Sequence, residues 1–254
     1  MRGMNCDMHV HTEFSGDSDA DMRKYCEIGK QKRIDVICFT DHVDFNKYDE
    51  GYGYYKPEQY FDSLEEVRKG MDLDLLSGIE FSEPHLYNEQ LSLLAKYPYD
   101  FILGSVHWVG DMFPCQEVRD KITAGEFFSL YWKEVLRTVE QGGFDCLGHI
   151  DFPKRYYREL YFEEAQIIKI FETMHKQKIV LEINTSSLRK GLTTTMPDQA
   201  LLELYKFTGG EFVTIGSDSH REEDLGEGID DAKKLIRNLD LKQVIFRKRK
   251  RELV

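Results

Sequence analysis

His9 and His11 stand two residues apart, a spacing that turns both imidazoles toward one face of an extended strand. Taken alone the pair means little, because core histidines with satisfied hydrogen bonds are common. Further along the chain come Asp17, the dipeptide Asp41-His42, Glu80, His107, His149, and Asp218 followed by His220. Imidazole and carboxylate groups in this mixture suit zinc, manganese or iron. Gathered in a partly dry cavity without a cation, the same groups would be strongly unfavourable. The five cysteines are scattered and show no Cys-x-x-Cys spacing, so neither a thiolate metal site nor a disulfide framework is expected.

Whether these residues meet depends on the elements that carry them. Short apolar runs at 6–11, 35–42, 74–82, 101–109, 146–151, 179–186 and 212–220 read as strands. Helical patterns near 19–33, 57–70, 88–96, 125–141, 163–178, 197–208 and 229–239 alternate with them. Pro57 and Pro197 suit a first helical turn. Asp198, Asp230 and Glu163 place negative charge near helix starts, and Gly142-Gly143 and Gly209-Gly210 end helices before the next strand. Seven βα units in series imply an α/β fold, a closed or nearly closed parallel barrel with right-handed crossovers. No linker, repeat or low-complexity segment interrupts the series, so residues 1–254 read as one domain. Every candidate ligand then falls at or beside the C-terminal end of a strand, and in such a barrel those ends share one rim.

The bulk composition narrows the function classes. A formal charge of −12 disfavours a general nucleic-acid binder, and an anionic substrate would need metals or local cations to reverse the field. The basic run at 247–251 reads as a solvated tail. The first ten residues lack an apolar signal region and no stretch is long and apolar enough to cross a bilayer, so a cytoplasmic location is expected. His175 lies in a helical pattern and His85 in a loop after the third strand; neither joins the ligand set.

The motifs "DMHVHTEFSGD" (7–17), "FTDH" (39–42), "GIE" (78–80), "GSVH" (104–107), "GHID" (148–151) and "GSDSH" (216–220) follow one another in an order that resembles the PHP (polymerase and histidinol phosphatase) superfamily. The resemblance spans essentially the whole chain. It implies a distorted seven-stranded (β/α) barrel with a trinuclear centre of Zn, Mn or Fe. His9, His11, Glu80 and Asp218 would hold the first ion; Glu80 would bridge to a second held with His107 and His149. Asp17, His42 and His220 would hold the third, with Asp19 the neighbouring alternative to Asp17.

Within the superfamily, "GSVHWV", "GHIDFPKRY" and "EINTSSLRKG" resemble the histidinol-phosphate phosphatase branch. That resemblance implies hydrolysis of L-histidinol phosphate by a hydroxide bridging two metals. Arg155 and Arg189 would clamp the phosphate, since a planar guanidinium offers two parallel donors; Arg158 or Lys154 could take the place of Arg155. Asp151 and a metal-bound water are the two candidates for the leaving-group acid, and loops 44–55 and 80–89 could cradle the imidazole and amine. Other phosphate monoesters, nucleic-acid phosphodiesters, and a metal-binding module without catalysis are the competing readings. Missing ligands would mark the last of these, and here all nine positions are ligand-capable.

Overall fold

A computed structural model describes residues 3–254. Its strands are β1 Cys6–Val10, β2 Val36–Val43, β3 Asp74–Ser82, β4 Phe101–Ser105, β5 Cys146–Leu147, β6 Val180–Asn184, β7 Phe212–Gly216, β8 Lys242–Arg247 and β9 Lys250–Leu253. The helices are α1 Met22–Lys32, α2 Pro57–Gly70, α3 Asn88–Leu94, α4 Gln116–Arg119, α5 Ala124–Gln141, α6 Lys154–Tyr157, α7 Glu164–Gln177, α8 Ser186–Arg189, α9 Gln199–Phe207 and α10 Ile229–Asn238. The strands pair in sequence order, parallel from β1 to β8, with β9 antiparallel to β8. This is the expected α/β architecture, extended by two strands.

The sheet curls so that the ends of β7 and β1 meet. Asp218 donates its backbone N–H to His9 (2.8 Å), and His11 donates to Ser219 (2.8 Å). Lower down, the start of β7 pairs instead with β8, which fills the bottom of the same seam. β1 shifts register between Asp7 and Val10, and irregularities of this kind re-aim side chains next to active sites.

Burial on both faces explains why the strands read as apolar runs. On the outer face the amphipathic α5 presents Phe127, Phe128, Tyr131, Trp132, Val135 and Val139 to the sheet, and its start is fixed by a capping box between Thr123 and Glu126. On the inner face the residue types change with height. Val36 and Cys38 lie below His42 on β2, Leu76 below Glu80 on β3, and Val180 below Glu182 on β6. The barrel floor is therefore greasy and its mouth polar.

Several local expectations are corrected. The strands carrying His107, His149, Asp218 and His220 are shorter than their apolar runs, so these residues stand in the loops just beyond β4, β5 and β7. Pro197 follows a cis peptide and precedes the α9 N-cap, Asp198, rather than occupying the first turn. The basic run is not a solvated tail. It forms the β8–β9 turn, with Arg247 paired to Asp74, Arg249 to Asp145, and Arg251 lying 3.7 Å from the Phe212 ring centroid. Between the charges, Val244, Ile245 and Phe246 plug the barrel floor, where Phe246 packs on Phe101 at 5.3 Å. Phe246→Ala is therefore expected to lower unfolding free energy by about 3–5 kcal/mol, measured by urea denaturation, because it empties a buried ring from the floor.

Candidate metal centre

All nine residues singled out by type and spacing meet at the C-terminal mouth, around Glu80. Its Oε2 lies 3.2 Å from His9 Nε2, 3.5 Å from His11 Nε2 and 3.2 Å from His42 Nδ1. Its Oε1 lies 2.8 Å from His149 Nε2 and 3.4 Å from His107 Nε2. Asp218 Oδ1 closes the first group at 3.4 Å from His11 Nε2 and 3.9 Å from His9 Nε2. Asp17 Oδ2 stands 3.0 Å from His220 Nε2 and 3.8 Å from His42 Nε2, whereas Asp19 does not line the cavity. His42 sits between two groups, reaching Glu80 with one ring nitrogen and Asp17 with the other.

The donors fit divalent cations. Four overlapping triads, His9/His11/Asp218, His9/Glu80/His149, His42/Glu80/His107 and His11/His42/His220, each bring their ligand atoms within 4.8 Å of one another. His9 Nε2 and His11 Nε2 face each other at 2.9 Å, an arrangement a cation between lone pairs would relieve. His42 Nδ1 lies 3.2 Å from Glu80 Oε2 without hydrogen-bond geometry.

Supporting groups set which ring nitrogen is free. His11 Nδ1 lies 3.1 Å from Ser15 Oγ, whose hydroxyl donates to Asp41 (2.8 Å) and accepts from the His42 N–H (2.9 Å). Thr12 donates to the same Asp41 through its N–H (2.6 Å) and its hydroxyl (2.9 Å). His107 Nδ1 faces Ser82, which donates to Asp44. With Nδ1 engaged, Nε2 is left to offer its lone pair, the usual second layer of a histidine metal site. Glu83 accepts from the N–H groups of His107 (2.7 Å) and Trp108 (3.1 Å), fixing that turn; its burial lifts the carboxyl to about 7.

Opposite charges dominate the electrostatics. Burial alone would lift Glu80, but His9, His42, His107 and His149 hold it well below the usual range. Asp218 is likewise held low by Arg155 and His9 against its burial, and Asp17 by His42 and His220. Burial would depress His42, yet Glu80, Asp17 and Asp44 raise it to about 10. A cation must displace that proton. Metal uptake at pH 7–8 is therefore expected to release protons, and affinity to rise with pH up to about 10. A weakly buffered indicator titration checks this; uptake without proton release would contradict it.

Above the cluster opens a cavity of about 930 Å³. Arg155 and Arg189 line it, and each keeps a spare donor. Arg155 pairs with Asp218 and donates to Ser186 (2.6 Å), leaving Nε buried and unpartnered. Arg189 donates to the carbonyls of Ser217 (2.9 Å) and Asp218 (3.1 Å), leaving Nη1 unpartnered. Lys154 and Asp151 do not reach the cavity: both are buried and paired with each other at 2.9 Å. Arg158 bonds the Lys190 carbonyl outside it. That removes Asp151 as an acid and Lys154 and Arg158 as clamps. His85 pairs with Glu134, and His175 packs on Tyr205 and Thr208, partly buried rather than on the open surface.

The cavity also holds residues that sequence reasoning missed. Loop 44–55 supplies Asp44, Tyr48, Asp49, Glu50 and Gly51, but loop 80–89 supplies only Glu80 itself. The other aromatic wall comes from the loops after β4 and β5, which supply Trp108, Phe113 and Phe152, and from α6, which supplies Tyr156. Trp108 Nε1 donates to Asp49 (2.9 Å), joining the two walls. Lys190 and Arg221 add cations to the rim. The only prior signal for Trp108 was its place beside His107 in "GSVHWV". A second groove of about 1010 Å³, between α2 and the β8–β9 turn, contains no histidine and stands apart from this chemistry.

The family model described as "PHP domain" matches residues 7–186. A probable histidinol-phosphatase of Clostridium acetobutylicum is 32% identical, the match covering 96% of this chain and 97% of that protein. A histidinol-phosphatase of Lactococcus lactis is 26% identical over 84% of this chain and 83% of its own. The crystal structure of the Lactococcus lactis histidinol phosphate phosphatase, complexed with zinc, L-histidinol and phosphate, superposes with a TM-score of 0.84 at 24% identity, covering 98% of both chains. That similarity carries the fold.

Proposed function

Because the chain belongs to the PHP domain family, we propose that it hydrolyses L-histidinol phosphate to L-histidinol and phosphate. The observation that carries the reading is the convergence of nine imidazole and carboxylate groups, Glu80 among them, at the barrel mouth, beside two arginines with spare donors, in a chain aligned nearly end to end with a histidinol-phosphatase. The reaction belongs to histidine biosynthesis, in the cytoplasm, and the catalytic unit is the whole chain. No helix among the described residues is long and apolar enough to cross a membrane.

Three divalent ions, Zn, Mn or Fe, would be held by the sets His9/His11/Glu80/Asp218, Glu80/His107/His149 and Asp17/His42/His220. Bound there, they supply Lewis acidity toward the phosphoryl oxygens and hydroxide near neutral pH. Arg155 and Arg189, which line the cavity, would donate to the remaining phosphoryl oxygens and neutralise the charge that grows toward the leaving alcohol. The aromatic wall of Trp108, Phe113, Phe152 and Tyr156 stacks the imidazole and keeps water from the scissile bond. Asp49 and Glu50 face the substrate ammonium across the cavity.

The test is phosphate release from L-histidinol phosphate, other monoesters and a dinucleotide diester, with chelation and metal add-back. Histidinol phosphate is expected to give the highest kcat/KM, and chelation to abolish turnover reversibly. Cleavage of the diester alone, or full activity without metal, would overturn the proposal.

A further inference from the structure

No ligand is assigned to β6, yet its inward residues reach the ligands of three other elements. Glu182 and Asn184 lie on the strand and Ser186 just beyond it, all buried. Glu182 Oε1 stands 2.7 Å from His9 Nδ1. Its Oε2 accepts from the backbone N–H of His149 at 2.8 Å and from Asn184 Nδ2 at 3.2 Å. One carboxylate thus ties a ligand on β1 to the loop that carries another after β5. Asn184 Nδ2 continues to Asp218 Oδ2 at 3.4 Å, and Ser186 Oγ lies 3.0 Å from the same oxygen.

Room for Glu182 is made on the neighbouring strand. A Cβ at Gly216 would stand 2.3 Å from Glu182 Oε1 and 2.4 Å from His9 Cβ, closer than real contacts allow. Glycine at 216 is what lets the carboxylate and the imidazole lie side by side.

We propose that Glu182 is the positioning residue of the metal centre, taking the Nδ1–H of His9 so that the Nε2 lone pair faces the cation, and locking His149 through its backbone. The inference rests on the reading of this mouth as a metal site, and does not depend on the substrate. A carboxylate behind a ligating imidazole fixes its tautomer and raises its basicity, and loss of such a partner typically weakens metal affinity about 10–100-fold. A purely structural glutamate would instead lower stability equally with and without metal.

Glu182→Gln separates the two. Glutamine keeps the volume and one oxygen, and can serve His9 or the His149 amide but not both. Zinc affinity is read by competition with a fluorescent chelator, the geometry by the Co²⁺ visible spectrum, and melting temperatures with and without metal. The expected result is zinc affinity weakened about 10–100-fold, a weaker and shifted Co²⁺ band, and a metal-induced rise in Tm smaller than that of the wild type. If that variant does not fold, Glu182→Asp, which keeps the charge but shortens the reach, is read in the same way and is expected to weaken zinc binding several-fold. Wild-type affinity in whichever variant folds overturns the role of Glu182. A wild-type protein that binds no zinc overturns the metal reading itself.

Discussion

Glu80→Gln lowers kcat/KM for L-histidinol phosphate by about 10³-fold or more at saturating metal. A bound cation contributes several kcal/mol of charge stabilisation, and each 1.36 kcal/mol is a factor of ten in rate. Glu80 is expected to carry so large an effect because both its oxygens are engaged, one toward His9, His11 and His42 and the other toward His107 and His149. Glutamine removes the charge that balances these imidazoles and turns an N–H₂ donor toward one of the two groups. Metal content by mass spectrometry falls in parallel, while far-ultraviolet circular dichroism stays that of the wild type. Retention of more than a tenth of the activity with full metal content would contradict the central place given to this carboxylate.

Arg189→Ala lowers kcat/KM by about 10²–10³-fold, the scale seen when one donor to a developing anion is removed. Its metal content is expected to be unchanged, because Arg189 lines the cavity and touches Ser217 and Asp218 only through their backbone carbonyls. Inhibition by inorganic phosphate weakens together with catalysis. Arg155→Ala behaves differently, since Arg155 pairs directly with the Asp218 carboxylate and helps hold it ionised. That variant loses metal affinity as well as turnover. Steady-state kinetics with metal analysis on both variants distinguishes the two arginines; unchanged phosphate inhibition in Arg189→Ala would remove it from the phosphate site.

The ligand constellation was legible because imidazole and carboxylate at strand ends are costly to bury without a partner, so their types and spacing carry chemical meaning. His9 and His11 declared one wall, and Glu80, His107, His149 and Asp218 fell at or beside the ends of β3, β4, β5 and β7, which a parallel barrel must bring together. What lay outside that logic was harder to read. β8 and β9 hid behind their own charges: Val244, Ile245 and Phe246 form too short an apolar run to stand out between lysines and arginines. Those charges find Asp74 and Asp145, far away in sequence, and such pairings have no local signature. Asp151 sat beside His149 and looked available as an acid, but a partner three residues on, Lys154, draws it into the interior. Glu182 resembled any strand carboxylate until the fold placed His9 against it. Trp108 and Phe113 shape the cavity from a loop whose path no periodicity dictates.

The most direct test is anomalous diffraction from crystals of the metal-loaded protein, collected on both sides of the zinc or manganese edge. Three peaks are expected at the barrel mouth, each about 2.0–2.2 Å from its nitrogen and oxygen ligands, with Glu80 shared between two of them. Loaded crystals with no peak beside Glu80, His9 and His149, or with the metal bound elsewhere on the chain, would contradict the account.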